Sequence, residues 1–166
     1  MQEPPPIKTL LSSLQTFSDQ VQLALREPDI DWLGESQSNE WSLTEVLCHL
    51  RDVEREVHQT RVKALIEEDG AFLPGAVADA WVIEREYYRQ DGPTALRDFV
   101  DARADTLRNL RALDDHLFKR QGQHAFFGPT TLHELVYLMV QHDEAHMEQI
   151  LKLLKQEGGD LNPDED

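Results

Sequence analysis

Apolar residues recur along four stretches of the chain at the three- and four-residue spacing of an amphipathic helix. The first stretch predicts a helix that starts near residue 7 and ends near Arg26. Its apolar face consists of Ile7, Leu10, Leu11, Leu14, Phe17 and Val21. Residues 27–41, rich in acidic and small polar residues, then predict a loop.

Two further helices are preceded by a capping-box pattern, in which a Ser or Thr is followed three residues later by Glu. Ser42 and Glu45 predict the start of a second helix that runs to about Glu67. Thr131 and Glu134 predict the start of the last helix, which runs to about Glu157. The apolar face of the second helix consists of Val46, Leu50, Val53 and Val57.

The remaining long helix is predicted to begin at GPTALRDFV (92–100), where Pro93 suits a first turn. Its apolar face consists of Leu96, Phe99, Val100, Leu107 and Leu110. Between the second and third helices, DAWVIEREYY (79–88) predicts a short extra helix or a turn-rich cover. The segment RQGQHAFFGP (120–129) predicts a loop.

Four long amphipathic helices and no sustained strand alternation predict an all-α fold, a single-domain four-helix bundle with long connections. The core is expected to span about residues 7–157. Gly158 and Gly159 are expected to stop the last helix, and the acidic tail 158–166 is expected to be disordered.

Composition and charge narrow the classes of partner. The 166 residues carry a formal net charge of −16, which argues against a nucleic-acid partner. No apolar run approaches the roughly 20 residues of a membrane span, and no signal peptide opens the chain, so we expect a cytoplasmic protein that acts on a small molecule or another protein. Because Cys48 is the single cysteine, a disulfide within the chain is excluded and any metal site must use histidines and carboxylates.

Two histidines lie on the apolar face of the last helix. His142 and His146 are four residues apart, and Leu135 and Met139 precede them by seven, so both imidazoles are expected to face the interior. This phase disfavours a surface position. Metal ligands and hydrogen-bonded core histidines both remain open.

A third imidazole completes a metal-ligand set. His49 lies at the margin of the apolar face of the second helix and can point inward. Three neutral imidazoles with an open position are typical of catalytic zinc, and nickel or another borderline divalent ion would also accept them. Asp143 stands where the zinc-protease motif H-E-x-x-H has its glutamate, and Glu144 faces away, so a protease is disfavoured.

The other four histidines are not assigned to this site. His58 is nine residues from His49, and His133 is nine from His142, a separation that places each about 180° away on a regular helix. His116 stands at the polar end of the third helix. His124 falls in a predicted loop and is left unplaced.

Two motifs resemble those of the DinB/YfiT-like superfamily. WSLTEVLCHL (41–50) is similar to its first motif, and HDEAHMEQI (142–150), with its histidine pair and Gln149, is similar to its second. DAWVIEREYY lies where such proteins carry an aromatic segment. The resemblance covers about residues 7–156 and implies a four-helix bundle, a homodimer, and a divalent metal held by His49, His142 and His146.

The resemblance also implies a range of activities. Members include metal-dependent transferases that act through low-molecular-weight thiols, an isomerase that uses such a thiol, and proteins assigned as metal-dependent hydrolases. We therefore expect a metal-dependent enzyme of thiol-dependent S-transferase or hydrolase type, acting on a small molecule. The alternative is a non-catalytic metal- or ligand-binding bundle that serves dimer assembly or a stress response.

Several polar residues on inward-facing positions call for an explanation. Arg103 lies on the apolar face of the third helix and predicts an internal salt bridge, a snorkelling side chain or a contact with a substrate anion. Gln149 is expected to bond a ligand histidine or the substrate, or to pack. Asp143 either orients a neighbouring histidine or is a solvated helix residue. Cys48 is expected to be a buried, inert thiol, and Trp41 to serve packing.

Overall fold

The computed structural model describes residues 2–34 and 40–157. Within them the α-helices are α1 (Ile7–Ala24), α2 (Leu43–Val53), α3 (Gln59–Glu67), α4 (Trp81–Glu84), α5 (Gly92–Arg111) and α6 (Leu132–Glu157). The four predicted long helices are confirmed. The predicted stop at Gly158 and Gly159 and the acidic tail 158–166 lie outside the described residues, as do positions 35–39 of the first predicted loop.

The second long helix is not regular along its length. A π-helical turn, Glu54–His58, joins α2 to α3, and the backbone stays in the right-handed helical region through both junctions. We call this segment the π turn. A π-helical turn contains about one residue more than an α-helical turn. The faces of α3 are therefore rotated about the helix axis relative to those of α2, compared with a regular helix.

The helix starts follow the sequence signals. The Ser42 hydroxyl accepts a hydrogen bond from the Glu45 amide at 3.3 Å, and the Ser42 amide donates to Glu45 Oε1 at 3.0 Å. Thr131 and Glu134 make the same reciprocal pair at 3.0 and 3.3 Å. Both predicted capping boxes are therefore confirmed, and they fix where the histidine-bearing helices begin.

Helix α1 packs against α5 and α6, and α2 packs against α5, so the long helices enclose a common interior. Leu14, Leu107 and Met139 are buried towards one end of this core, and Val46, Phe99 and Ile150 towards the other. None of the helices that the structure describes combines the length and apolarity needed for a bilayer span.

A small sheet corrects the expectation of an all-α fold. Strands β1 (Phe72–Leu73), β2 (Gln121–His124) and β3 (Gly128–Thr131) form it, with β1 parallel to β2 and β2 antiparallel to β3. The segment predicted as a loop at 120–129 thus contains β2, the hairpin turn and the start of β3. These strands leave no alternation signal in the sequence because they are two to four residues long, and QGQH and GPTT carry no apolar side chains on alternate positions.

The predicted short helix between the second and third long helices is confirmed as α4, flanked by 3₁₀ turns at Ala78–Ala80 and Tyr87–Arg89. It is attached to α2 through buried Asp52, which accepts hydrogen bonds from Tyr87 Oη at 2.6 Å and Arg85 Nη1 at 3.0 Å. The preceding segment 76–79 lines a cavity together with residues of α2 and α6.

Candidate metal centre

His49, His142 and His146 converge at the centre of the bundle. One nitrogen from each ring can be chosen so that all three lie within 4.8 Å of one another. The Nε2 atoms of His142 and His146 are 3.1 Å apart, and the ring centre of His49 lies 4.8 Å from that of His146. The structure therefore brings together the three histidines that the sequence selected.

The three imidazoles line the wall of a cavity of about 860 Å³. His49 is buried, whereas His142 and His146 are half-buried and face the cavity. Further lining comes from α2, the π turn, α3 and the segment 76–79. A volume of this size suits a small molecule, and it leaves one side of the histidine cluster accessible.

Neighbouring side chains fix the orientation of two of these rings. Gln149 Oε1 lies 2.9 Å from His146 Nδ1, and because an amide oxygen only accepts, Nδ1 carries the proton. The lone pair of His146 is then on Nε2, towards His142. Of the alternatives expected for Gln149, the structure shows the contact with a histidine of the cluster, His146. The ring of Trp41 packs 4.9 Å from that of His49, centre to centre.

Two nitrogen atoms of the cluster lack the partners that core histidines usually have. Nδ1 of His49 and Nδ1 of His142 are buried and have no hydrogen-bond partner among the described residues. Buried polar groups are normally satisfied, so hydrogen bonding to the described chain leaves these two atoms unexplained. The alternative of ordinary hydrogen-bonded core histidines is disfavoured on this ground.

The spacing also fits a shared ion. Two imidazole nitrogens about 2.0–2.1 Å from one ion are about 2.8–3.4 Å apart when their angle at the ion is between about 90° and 110°. The His142–His146 separation of 3.1 Å falls within that interval. The same helix therefore presents both nitrogens at chelating distance without any change of backbone.

Burial keeps these imidazoles neutral. It lowers the pKa of His49 to about 4, with His146 as the next cause, and it lowers the pKa of His142 and of His146 as well. Metal ions bind the neutral form of imidazole. At neutral pH the lone pairs of the cluster are thus available for a ligand.

His58 was wrongly placed by helical phase. It is only 7% exposed, lines the cavity, and stacks edge-on with His142 at 5.4 Å between ring centres. The π turn is the reason, because nine residues that include it rotate about as far as eight regular ones, about 80° instead of about 180°. His58 Nε2 is buried without a partner among the described residues, but His58 is not part of the convergent group.

A buried ion-pair cluster lies behind the histidines. Arg103 bonds Glu54 through Nε at 2.9 Å and Asp143 through Nη1 at 2.7 Å, and Nη1 also donates to the Leu14 carbonyl at 3.0 Å. The side chains of Glu54, Arg103 and Asp143 are all at most 4% exposed. The predicted internal salt bridge of Arg103 is confirmed, and the idea that Asp143 is a solvated residue is wrong.

This cluster ties the π turn to α6, the helix that carries His142 and His146. Glu54 is the first residue of the π turn, and Asp143 follows His142 on α6, so Arg103 on α5 links both. Asp143 accordingly supports the site through Arg103 and makes no hydrogen bond to a histidine of the described chain. Glu54 escaped sequence analysis, because a partner 49 residues away from an unpaired arginine leaves no local signal.

The other candidates lie away from the centre. His116 and Glu144 are exposed, and His133 Nε2 contacts the Pro5 carbonyl at 2.7 Å. His124 stands on β2, where its Nδ1 accepts a hydrogen bond from the Phe126 amide at 3.1 Å. Cys48 is buried, and burial raises the pKa of its thiol to about 11, in keeping with the expected inert thiol.

Comparison with known proteins shows a matching family and a similar solved structure. The sequence profile of the DinB superfamily matches residues 9–150. Among solved structures, YfiT from Bacillus subtilis, described as a probable metal-dependent hydrolase with an unusual four-helix bundle topology, is similar with a TM-score of 0.81. The two chains are 20% identical, and the match covers 95% of this chain and 92% of YfiT, so the likeness establishes the fold. No curated protein matches in sequence.

Proposed function

The chain belongs to the DinB superfamily, and we propose that it is a divalent-metal-dependent hydrolase that acts on a small molecule. The observation that carries this proposal is the convergence of three neutral imidazoles on the wall of a large cavity, two of which, His49 and His142, have a buried nitrogen without a hydrogen-bond partner among the described residues. The description of YfiT as a probable metal-dependent hydrolase, on the same fold, supports the choice of reaction class.

His49, His142 and His146 would hold the ion, with zinc or nickel as the expected metals. A divalent ion at such a site supplies Lewis acidity, which polarises a carbonyl or phosphoryl oxygen and lowers the pKa of water or of a thiol. Three protein ligands leave room for an exogenous group, which is the pattern of catalytic rather than structural sites.

The surrounding chain prepares the three nitrogens for this task. Gln149 fixes the tautomer of His146, so that Nε2 presents a lone pair without rearrangement. Trp41 covers one face of His49. The Arg103 cluster holds α5, α6 and the π turn in register behind the rings. Because these groups are fixed before substrate arrives, binding requires little reorganisation.

A thiol-dependent S-transferase is the second candidate, and the burial of Cys48 bears on which thiol would react. The Cys48 thiol is buried, and its raised pKa keeps it protonated, so it is not a nucleophile of this site. A thiol reaction would therefore need a low-molecular-weight thiol that enters the cavity. This use of a thiol, the identity of the metal and the homodimer stay predictions.

Turnover by defined metal forms tests the proposal. Metal-free, zinc-loaded and nickel-loaded protein would be assayed with small esters, amides and phosphoesters, and with a small thiol plus an electrophile. We expect hydrolysis that requires metal, is lost in His142→Gln and persists in the exposed control His116→Gln. Product formed only with the thiol present would favour the transferase. No turnover by any metal-loaded form across both panels would favour the non-catalytic binding bundle.

A further inference from the structure

Arg61 is a cavity residue without an acidic partner. Its Nε and Nη2 both donate to the Pro74 carbonyl, at 3.2 and 2.9 Å, and among the described residues no carboxylate forms an ion pair with it. The nearest acidic residue before it on the same helical segment, Glu56, is bonded to Arg85. Nη1 makes no hydrogen bond to the described chain, so part of the guanidinium fork is available to a ligand.

His58 lies one helical turn before Arg61 and lines the same cavity. Its side chain is more than nine-tenths buried, and its Nε2 has no hydrogen-bond partner among the described residues. His58 does not belong to the three histidines whose nitrogens converge. The wall of the cavity beside the metal centre thus carries an unpaired cation and an unpaired imidazole nitrogen together.

The charged residues of the cavity wall differ in whether a side chain of opposite charge accompanies them. Glu148, also on the cavity wall, pairs with Lys152 at 3.3 Å. Burial lowers the pKa of His146, and the Gln149 hydrogen bond and then the nearby Asp79 carboxylate offset part of that lowering. Burial lowers the pKa of Arg61, and no carboxylate among the described residues offsets that effect. In a chain of net charge −16, a partly buried arginine left without a carboxylate has a ligand anion as its natural partner.

We propose that Arg61 and His58 form a subsite for the carboxylate of a small-molecule substrate or cosubstrate, whose reacting end lies at the three-histidine centre. The second part of this proposal, that the reacting end lies at the three-histidine centre, rests on the proposed function. A carboxylate is favoured over a phosphate because one arginine neutralises one negative charge, whereas a phosphate dianion would leave excess negative charge in an acidic cavity.

Matched thiols test the subsite. Mercaptoacetate, 3-mercaptopropionate and 4-mercaptobutyrate would each be compared with the corresponding neutral amide, using cobalt-substituted protein, in which thiolate ligation is visible as a charge-transfer absorption band. At one chain length or more, we expect the carboxylate to bind about tenfold more tightly than its amide. In Arg61→Gln the ratio should fall to within about twofold, while affinity for the amide stays unchanged.

Two further variants sharpen the result. Lys63→Gln removes a positive charge from the same helix, but its side chain is 75% exposed and outside this cavity, so the preference for the carboxylate should persist. His58→Phe should weaken carboxylate binding and leave one cobalt ion bound per chain. If His58→Phe loses the metal instead, its assignment to the carboxylate subsite is wrong.

The test separates this inference from the proposed function. If cobalt does not bind, the proposed function fails, and the same carboxylates and amides would be compared by calorimetry on metal-free protein. A carboxylate preference that disappears in Arg61→Gln then still supports the subsite. Equal binding of acid and amide, no binding of either, or a preference unchanged by Arg61→Gln would overturn it. Inorganic phosphate that displaces the mercaptocarboxylate more effectively than acetate does would contradict the choice of carboxylate.

Discussion

The Nε2 atoms of His142 and His146 lie 3.1 Å apart on successive turns of α6, at a distance that suits two ligands of one metal ion. A rigid helix sets this spacing, since both residues belong to its uninterrupted interior. His49 approaches from α2 and lines the same cavity as the other two histidines. The proposed function depends on whether these three histidines bind a metal ion.

Removal of one ligand should abolish metal binding. His142→Gln keeps a polar side chain of similar size but removes the imidazole, so we expect divalent metal to fall from about one ion per chain to background. Metal analysis after dialysis measures this. His116→Gln is the matched control, because His116 is exposed and outside the site, and it should retain the metal.

Gln149→Leu should weaken metal binding without abolishing it. The amide oxygen that holds the proton on His146 Nδ1 would be lost, so the ring would no longer be fixed with its lone pair on Nε2. Loss of such a supporting contact typically lowers metal affinity by about 10- to 100-fold. Competition with a chelator measures the change, and an affinity equal to that of the wild type would show that Gln149 serves packing alone.

Arg103→Met should destabilise the fold strongly. The substitution leaves the carboxylates of Glu54 and Asp143 buried without their cation, a situation that costs about 3–5 kcal/mol. The free energy of unfolding in urea measures this. The triple variant Glu54→Leu, Arg103→Met, Asp143→Leu removes all three charges and should recover much of the loss. If the single variant is as stable as the wild type, the cluster is not a structural tie.

Acid should destabilise the metal-free protein already below neutrality. The pKa of His49 is about 4 in the folded chain, and burial lowers the pKa of His58 and His142 too, whereas each would be about 6.5 in the unfolded chain. Their contribution to stability is therefore complete above pH 6.5 and is lost as the pH falls towards the folded pKa values. Each histidine contributes a slope of up to about 1.4 kcal/mol per pH unit.

Unfolding in urea at a series of pH values from 7.5 to 5 measures that slope. His58→Phe should reduce the slope by the contribution of one histidine, because one group that takes up a proton only on unfolding has been removed. A free energy of unfolding that stays constant between pH 7 and pH 5 would contradict the neutral, buried state of these rings.

Local patterns in the sequence were enough to predict much of this arrangement. The capping boxes at Ser42 and Thr131 fixed where two helices start, and regular periodicity on α6 placed His142 and His146 inward. These features depend on neighbours within one or two turns. The same holds for the inward position of Gln149, which is seven residues after His142.

Other features depend on contacts between distant segments. The π turn at Glu54–His58 has no established sequence signature, yet it rotates His58 into the cavity. The small sheet is held by backbone hydrogen bonds among short strands and the residues beside them, such as that from Gln123 to the Ala71 carbonyl at 2.9 Å. Arg103 was recognisable as an anomaly, but its choice of Glu54 and Asp143 arises only when α5 packs beside the π turn and α6.

X-ray absorption of the zinc- or nickel-loaded protein shows whether three imidazoles bind one ion. We expect one ion per chain with three imidazole nitrogens, about 2.0–2.1 Å away for zinc, and a loss of the imidazole signal in His142→Gln. An ion bound with fewer than three imidazoles, or a spectrum that His142→Gln leaves unchanged, would contradict a site built from His49, His142 and His146.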